Sequence, residues 1–133
     1  MKANELRIGN YIKFHNTITK VEGFSIWDNL IQSDNFAERE LKDFEPIPLT
    51  EEWLLKFGFK KSIVKEPWFE RNKIELFKYS KGNFFLLGRN HTAYGIGLHD
   101  IWDGMEINLQ YVYQLQNLYF ALTGEELDIK QLK

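Results

Sequence analysis

Two stretches of this chain carry both a start and a stop signal for a helix, and the runs around them are short and frequently broken. Thr50 is a good N-cap, Glu51 and Glu52 sit where the helix dipole favours anions, and Gly58 can close the C-terminal end. Between them Trp53, Leu54 and Phe57 fall at i, i+1 and i+4 and make one apolar face. Such a helix is too short to stand alone, so packing must hold it. The second helix is predicted to take Asn108 as N-cap and to run from Tyr111 to Leu122. Val112, Leu115, Tyr119 and Leu122 form its stripe, Leu118 and Phe120 widen it, and Gly124 ends it. Gln114, Gln116 and Asn117 occupy the other side.

The remainder reads as β. Leu6 to Phe14 holds Gly9-Asn10 between two apolar-rich runs, and both residue types tolerate the positive φ of a sharp turn. Thr17-Ile18-Thr19-Lys20-Val21 alternates like a half-buried strand, with His15-Asn16 as the intervening turn and Glu22-Gly23 as its expected break. Ser25-Ile26-Trp27 and Leu30-Ile31 are further short strands. Residues 32–45 read as a loop with one helical turn. Pro46 and Pro48 then hold the chain extended as an edge strand or connector.

A second β region follows the first helix. A strand is expected near Trp68-Phe69-Glu70. Lys73 to Tyr79 and Phe84 to Leu87 flank Ser80-Lys81-Gly82-Asn83, which has hairpin-loop chemistry. Gly88 to His91 turns again into Ala93-Tyr94-Gly95-Ile96-Gly97-Leu98. There the glycines leave one face almost bare, so something is expected to approach it closely.

These elements predict an α+β domain: an N-terminal SH3-like small β-barrel or meander, a short helix, an antiparallel β-meander, and a C-terminal helix packed on the sheet. A length of 133 residues fits one domain over 1–133, divided into an SH3-like β unit at 1–49 and a helix–meander–helix part at 50–133. With no cysteine there is no disulfide scaffold, thiol nucleophile or thiolate zinc site. Charged residues at the start occupy the place of a secretory signal's apolar run, and no stretch approaches the ~18 apolar residues of a membrane span. The expectation is a soluble protein of the cytoplasm that uses no membrane.

Three stretches, taken in order, carry a resemblance: Ala3 to Asn10, Pro46-Ile47-Pro48-Leu49-Thr50-Glu51-Glu52-Trp53-Leu54-Leu55-Lys56-Phe57-Gly58-Phe59, and Tyr111 to Leu127. Together they resemble a group of small uncharacterised proteins from phages and prophages of Bacteroides-like bacteria, many of which carry His in the place of Tyr113. The resemblance implies a mobile-element origin and a host-cell cytoplasmic setting. It implies no activity and no site residues.

Catalytic patterns are sparse. Ser25, Ser33 and Ser80 lie outside any nucleophile-elbow context, and Gly95-Ile96-Gly97 lacks the third glycine and helix start of a dinucleotide fingerprint. His91, His99, Asp100 and Asp103 are the one concentrated set of metal or acid–base types. His91 and His99 would lie at opposite ends of a Gly-rich strand, so no metal site is assigned, and neither a cofactor nor a catalytic residue is expected.

Charge is more informative. Residues 51–99 hold 9 basic and 5 acidic side chains, against 6 and 8 in residues 1–50 and 2 and 6 in residues 100–133. Within this basic band lysines and arginines alternate with rings. Such interleaving serves single-strand or nucleotide binding, with cations on phosphate and rings under bases. It equally describes a ring-filled core with a solvated basic rim. The binding candidates are Lys73, Lys78, Arg89, His91 and Tyr94, joined by Trp27 and Trp102, each beside an Asp near a turn. The leading expectation is a non-catalytic accessory binding protein that antagonises a host defence system. It would grip a defence protein or nucleic-acid complex, or sequester a nucleotide signal. A single-stranded nucleic-acid or nucleotide-binding factor is the second reading, and a small hydrolase with a carboxylate or His site the third. Self-association into a homo-oligomer is left open.

Overall fold

The computed structural model describes residues 5–25, 29–62, 75–79, 85–89, 94–98, 101–107 and 109–129. The protein is α+β, with two five-stranded antiparallel sheets and two α-helices among the described residues. The chain divides into two compact units, one of residues 1–49 with 110–128 and one of 50–109 with 129–133.

The first unit holds β1 (Tyr11–Phe14), β2 (Thr17–Ser25), β3 (Leu30–Ser33), β4 (Arg39–Glu40) and β5 (Phe44–Glu45), in the order β4-β3-β2-β1-β5. Both residues of the expected turn, His15 (φ 45°) and Asn16 (φ 69°), are left-handed, which suits a two-residue hairpin between β1 and β2. Gly9 turns the chain at φ 99°, as the sequence suggests. Glu22-Gly23 does not end β2. The strand absorbs it as a register shift between Val21 and Gly23 and continues to Ser25. The expected helical turn in residues 32–45 is a 3-10 turn at Leu41–Asp43, just before β5 returns to pair with β1. The sheet is not closed into a barrel.

Leu6, Ile12, Val21, Ile31 and Phe44 gather beneath this sheet with Tyr113 of the last helix. That helix, α2 (Val112–Thr123), belongs to this unit, whereas the sequence joined it to the meander. It starts later than expected. Its N-cap is Tyr111, and Gln114 Oε1 accepts from the amides of Gln110 (2.8 Å) and Tyr111 (3.0 Å). Asn108, the expected cap, lies outside the described residues. The chain reaches α2 beside its own earlier connector: Leu49 N–H donates to Gln110 O and Val112 N–H to Ile47 O, with Pro48 bridging Tyr111.

The second unit opens with α1 (Glu51–Phe57), built as its sequence dictates. Thr50 Oγ1 accepts from the Trp53 amide, and Gly58 ends the helix at φ 100°. Trp53, Leu54 and Phe57 are buried, and the rings of Trp53 and Phe57 lie 5.7 Å apart. The sheet that follows runs β10-β9-β8-β7-β6, from β6 (Lys60–Ser62), β7 (Glu75–Tyr79), β8 (Phe85–Arg89) and β9 (Tyr94–Leu98) to β10 (Ile101–Ile107). Neither β6 nor β10 is among the strands expected from the sequence. The strand expected near Trp68 lies outside the described residues.

Candidate functional site

Because every strand of the second sheet is paired antiparallel, its residues fall into rows that cross the sheet. One row reads Lys60, Lys78, Leu86, Gly97 and Trp102 from β6 to β10. The next reads Lys61, Phe77, Leu87, Ile96 and Met105, and a third aligns Glu75, Arg89, Tyr94 and Ile107. Successive rows occupy opposite faces of a pleated sheet.

Phe77 has no exposed surface, so its row marks the core face. Lys61, in register with Phe77, forms an ion pair with Glu51 at 3.7 Å, which puts α1 on that same side. Arg89 and Tyr94 lie two residues along β8 and β9 from Leu87 and Ile96 of Phe77's row, and so take register positions on its face. Lys78 and Trp102 share the other face with Lys60. The structure therefore brings Arg89 opposite Tyr94 and sets Lys78 in line with Trp102, but divides the four between two faces. Lys73, His91 and Trp27 lie outside the described residues.

The face away from α1 has an uneven charge. Lys60 and Lys78 stand directly opposite one another on β6 and β7. Like charges in a cross-strand pair repel, and Lys60 is exposed with no ionic partner among the described residues. Gly97 and the facing pair Gly88 and Gly95 lie on β8 and β9 of this face. On β10 Trp102 stands where the register shifts before Met105, an irregularity that bends an edge strand and re-aims its residues. Glu106 also belongs to β10, three strands from Lys78.

Comparison of the chain with family models, curated proteins and solved structures returns no match.

Among the described residues no three His, Asp or Glu side chains come together as metal ligands. Of the acid–base set, Asp103 lies in β10, and His91, His99 and Asp100 lie outside the described residues. No helix of the described residues is long and apolar enough to cross a membrane.

Sequence reasoning missed the polar cluster of the first unit. Gln116, almost fully buried on α2, donates to Gly9 O (2.9 Å) and Leu127 O (3.1 Å), and accepts from the Tyr11 amide (2.9 Å). Tyr113 donates its hydroxyl to Glu5 Oε2 at 2.7 Å. Burial, reinforced by that bond to a carboxylate and by its charge, pushes the phenol up to about 12. Arg7 pairs with Glu126 and lies 3.8 Å over the Phe120 ring. Lys20 pairs with Asp128 at 2.9 Å. Asp34 is pushed up by burial, yet its bonds from the Lys20 amide and Thr19 hydroxyl win and hold its carboxyl below the ordinary value. These groups tie strands, helix and tail together. The signal was faint: Gln116 and Asn117 stand out only as amides beside an apolar stripe.

Proposed function

We propose that this chain is a non-catalytic binding protein of a mobile element that acts in the host cytoplasm against a host defence system, by gripping one of its components. The observation that carries the reading is the opposed pair Lys60 and Lys78, at one end of a register row that ends in Trp102, on the sheet face away from α1. Like-signed residues placed directly opposite one another on two strands are better suited to a partner than to the sheet's own stability. Five ionisable side chains of the first unit support the same reading, because Glu5, Arg7, Lys20, Glu126 and Asp128 are engaged in ties between elements. The three stretches similar to phage proteins supply the setting. We read the first unit as SH3-like, supported by the order β4-β3-β2-β1-β5 and the 3-10 turn before β5.

Phage plating on a defended host tests it. Expression of the chain should raise plating efficiency, and Lys60→Glu with Lys78→Glu should abolish the rise while the protein still accumulates. Plating unchanged by the wild-type chain on every defended host tried overturns the reading.

A further inference from the structure

We propose that the groove holding residues 125–128 is a docking site for an extended acidic segment of another protein, with a leucine between two carboxylates. Residues 125–128 form a strap that is the autoinhibitory occupant of this site. The groove belongs to the first unit, and its chemistry does not depend on the Lys60 face.

The strap leaves α2 through Gly124, which is left-handed at φ 76° and has nothing within 4 Å of where a Cβ would stand. It then runs on without helix or strand. Of residues 124–128 only Leu127 is buried, at 1% exposed, while Glu125, Glu126 and Asp128 are open to water. One buried anchor between exposed neighbours is how a linear peptide sits in a groove.

Each part of the strap meets a complementary group. Leu127 O accepts from Gln116 Nε2 at 3.1 Å, and Glu126 pairs with Arg7. Asp128 pairs with Lys20 at 2.9 Å and accepts from the Tyr11 hydroxyl. These partners come from α2, from the turn before β1, and from β1 and β2, so the wall is built by the body of the unit. The wall also specifies its ligand. Lifting the strap takes the carbonyl from a buried amide hydrogen of Gln116, the side chain from the seat of Leu127, and the carboxylates from two cations. A peptide carbonyl, a leucine and a carboxylate on either side restore all of them together. A small anion satisfies the cations alone.

Exchange follows from how the strap is held. The side chains of its ion pairs are 31% and 48% exposed for Arg7 and Glu126, and 34% and 51% for Lys20 and Asp128. Pairs so open to water give little net hold. Tethering to α2 keeps the strap at high effective concentration beside its groove. A partner segment that makes the same contacts and continues beyond them displaces it by mass action.

Fluorescence anisotropy with a labelled peptide of the sequence of residues 123–130 provides the test. The full wild-type chain should bind it weakly, because the strap competes. Glu126→Gln with Asp128→Asn loosens the strap while leaving Leu127 in place, and should bind the peptide about tenfold more tightly. Adding Arg7→Gln and Lys20→Gln to that variant should cancel the gain. An unlabelled peptide with Asp at the position of Leu127 should fail to compete. Melting temperatures identify any variant that fails to fold, in which case Asp128→Asn alone, at an exposed position, decides the matter. No tighter binding by a folded loosened variant overturns the inference, as does a gain that survives the loss of both cations. Equal competition by the peptide without leucine also overturns it. Self-association of the loosened variant that the peptide does not reverse would give the groove to a second copy, and overturns it as well.

Discussion

Asn117 on α2 accepts a hydrogen bond at 2.9 Å from the side-chain amide of Asn10, a residue 107 positions earlier and wholly buried. Asn10 in turn accepts from the Arg7 amide at 2.7 Å, and the Asn117 amide donates to Glu5 O at 2.8 Å. The turn at Gly9-Asn10 and the second turn of α2 are thus one polar joint, with Gln116 beside it serving Gly9, Tyr11 and Leu127. A buried joint of this kind is stabilising only while all its members are present, because each unpaired group left in the interior costs more than its bond contributed.

Gln116→Leu therefore should destabilise the first unit although it adds apolar surface. It leaves the Tyr11 amide and the carbonyls of Gly9 and Leu127 without their side-chain partner. We expect a loss of about 2–3 kcal/mol, read as a lower urea midpoint with the slope unchanged. A midpoint equal to wild type would show that water or rearranged backbone takes up all three bonds.

Tyr113 gives the unit an alkaline limit. Its folded value of about 12 lies above the ordinary phenol value of 10.0, so the folded state holds the proton more tightly than the unfolded one. The resulting stabilisation is complete below pH ~10 and declines as pH rises from there through the folded value. Tyr113→Phe, which removes the bond to Glu5, should lose about 1 kcal/mol at neutral pH and flatten the decline. Parallel stability curves for the two proteins between pH 10 and 12 would contradict this.

Ser33 offers the opposite case. It is a buried residue of β3 whose hydroxyl has no hydrogen-bond partner among the described residues. Ser33→Ala should leave stability unchanged or raise it by up to about 1 kcal/mol, since it removes a desolvated polar atom and little volume. Thermal unfolding measures it, and a clear drop in melting temperature would mean that the hydroxyl has a role in the native state.

Local chemistry was the legible part of the sequence. Thr50 and Gly58 bound α1 because a cap acts on atoms a few residues away, and His15-Asn16 turns the hairpin for the same reason. Glu22-Gly23 misled because a turn dipeptide inside a strand can be taken up by pairing on its far side, here with Gln32 opposite Gly23. Asn108 misled as a cap because Gln114 reaches back to serve the amides of Gln110 and Tyr111. The assignment of α2 depended on contacts across more than a hundred residues, and no periodicity within the helix encodes its partner sheet. Of the residues named from sequence, Lys78 and Trp102 fall in one register row. That alignment could not be read from the sequence, because the opposition of Lys78 to Lys60 depends on the register of β6 against β7, and β6 has only three residues.

The pairing of Leu49 and Val112 with Gln110 and Ile47 closes a loop of about sixty residues on itself. A ribosome making this chain releases β1 to β5 well before α2. While residues 50–109 are made, the nascent strands must wait without Gln116, Asn117 and Tyr113, leaving Asn10 and Ile12 in water. The intervening meander can meanwhile assemble ahead of the unit into which it is spliced. A unit begun before the meander is therefore completed only after it.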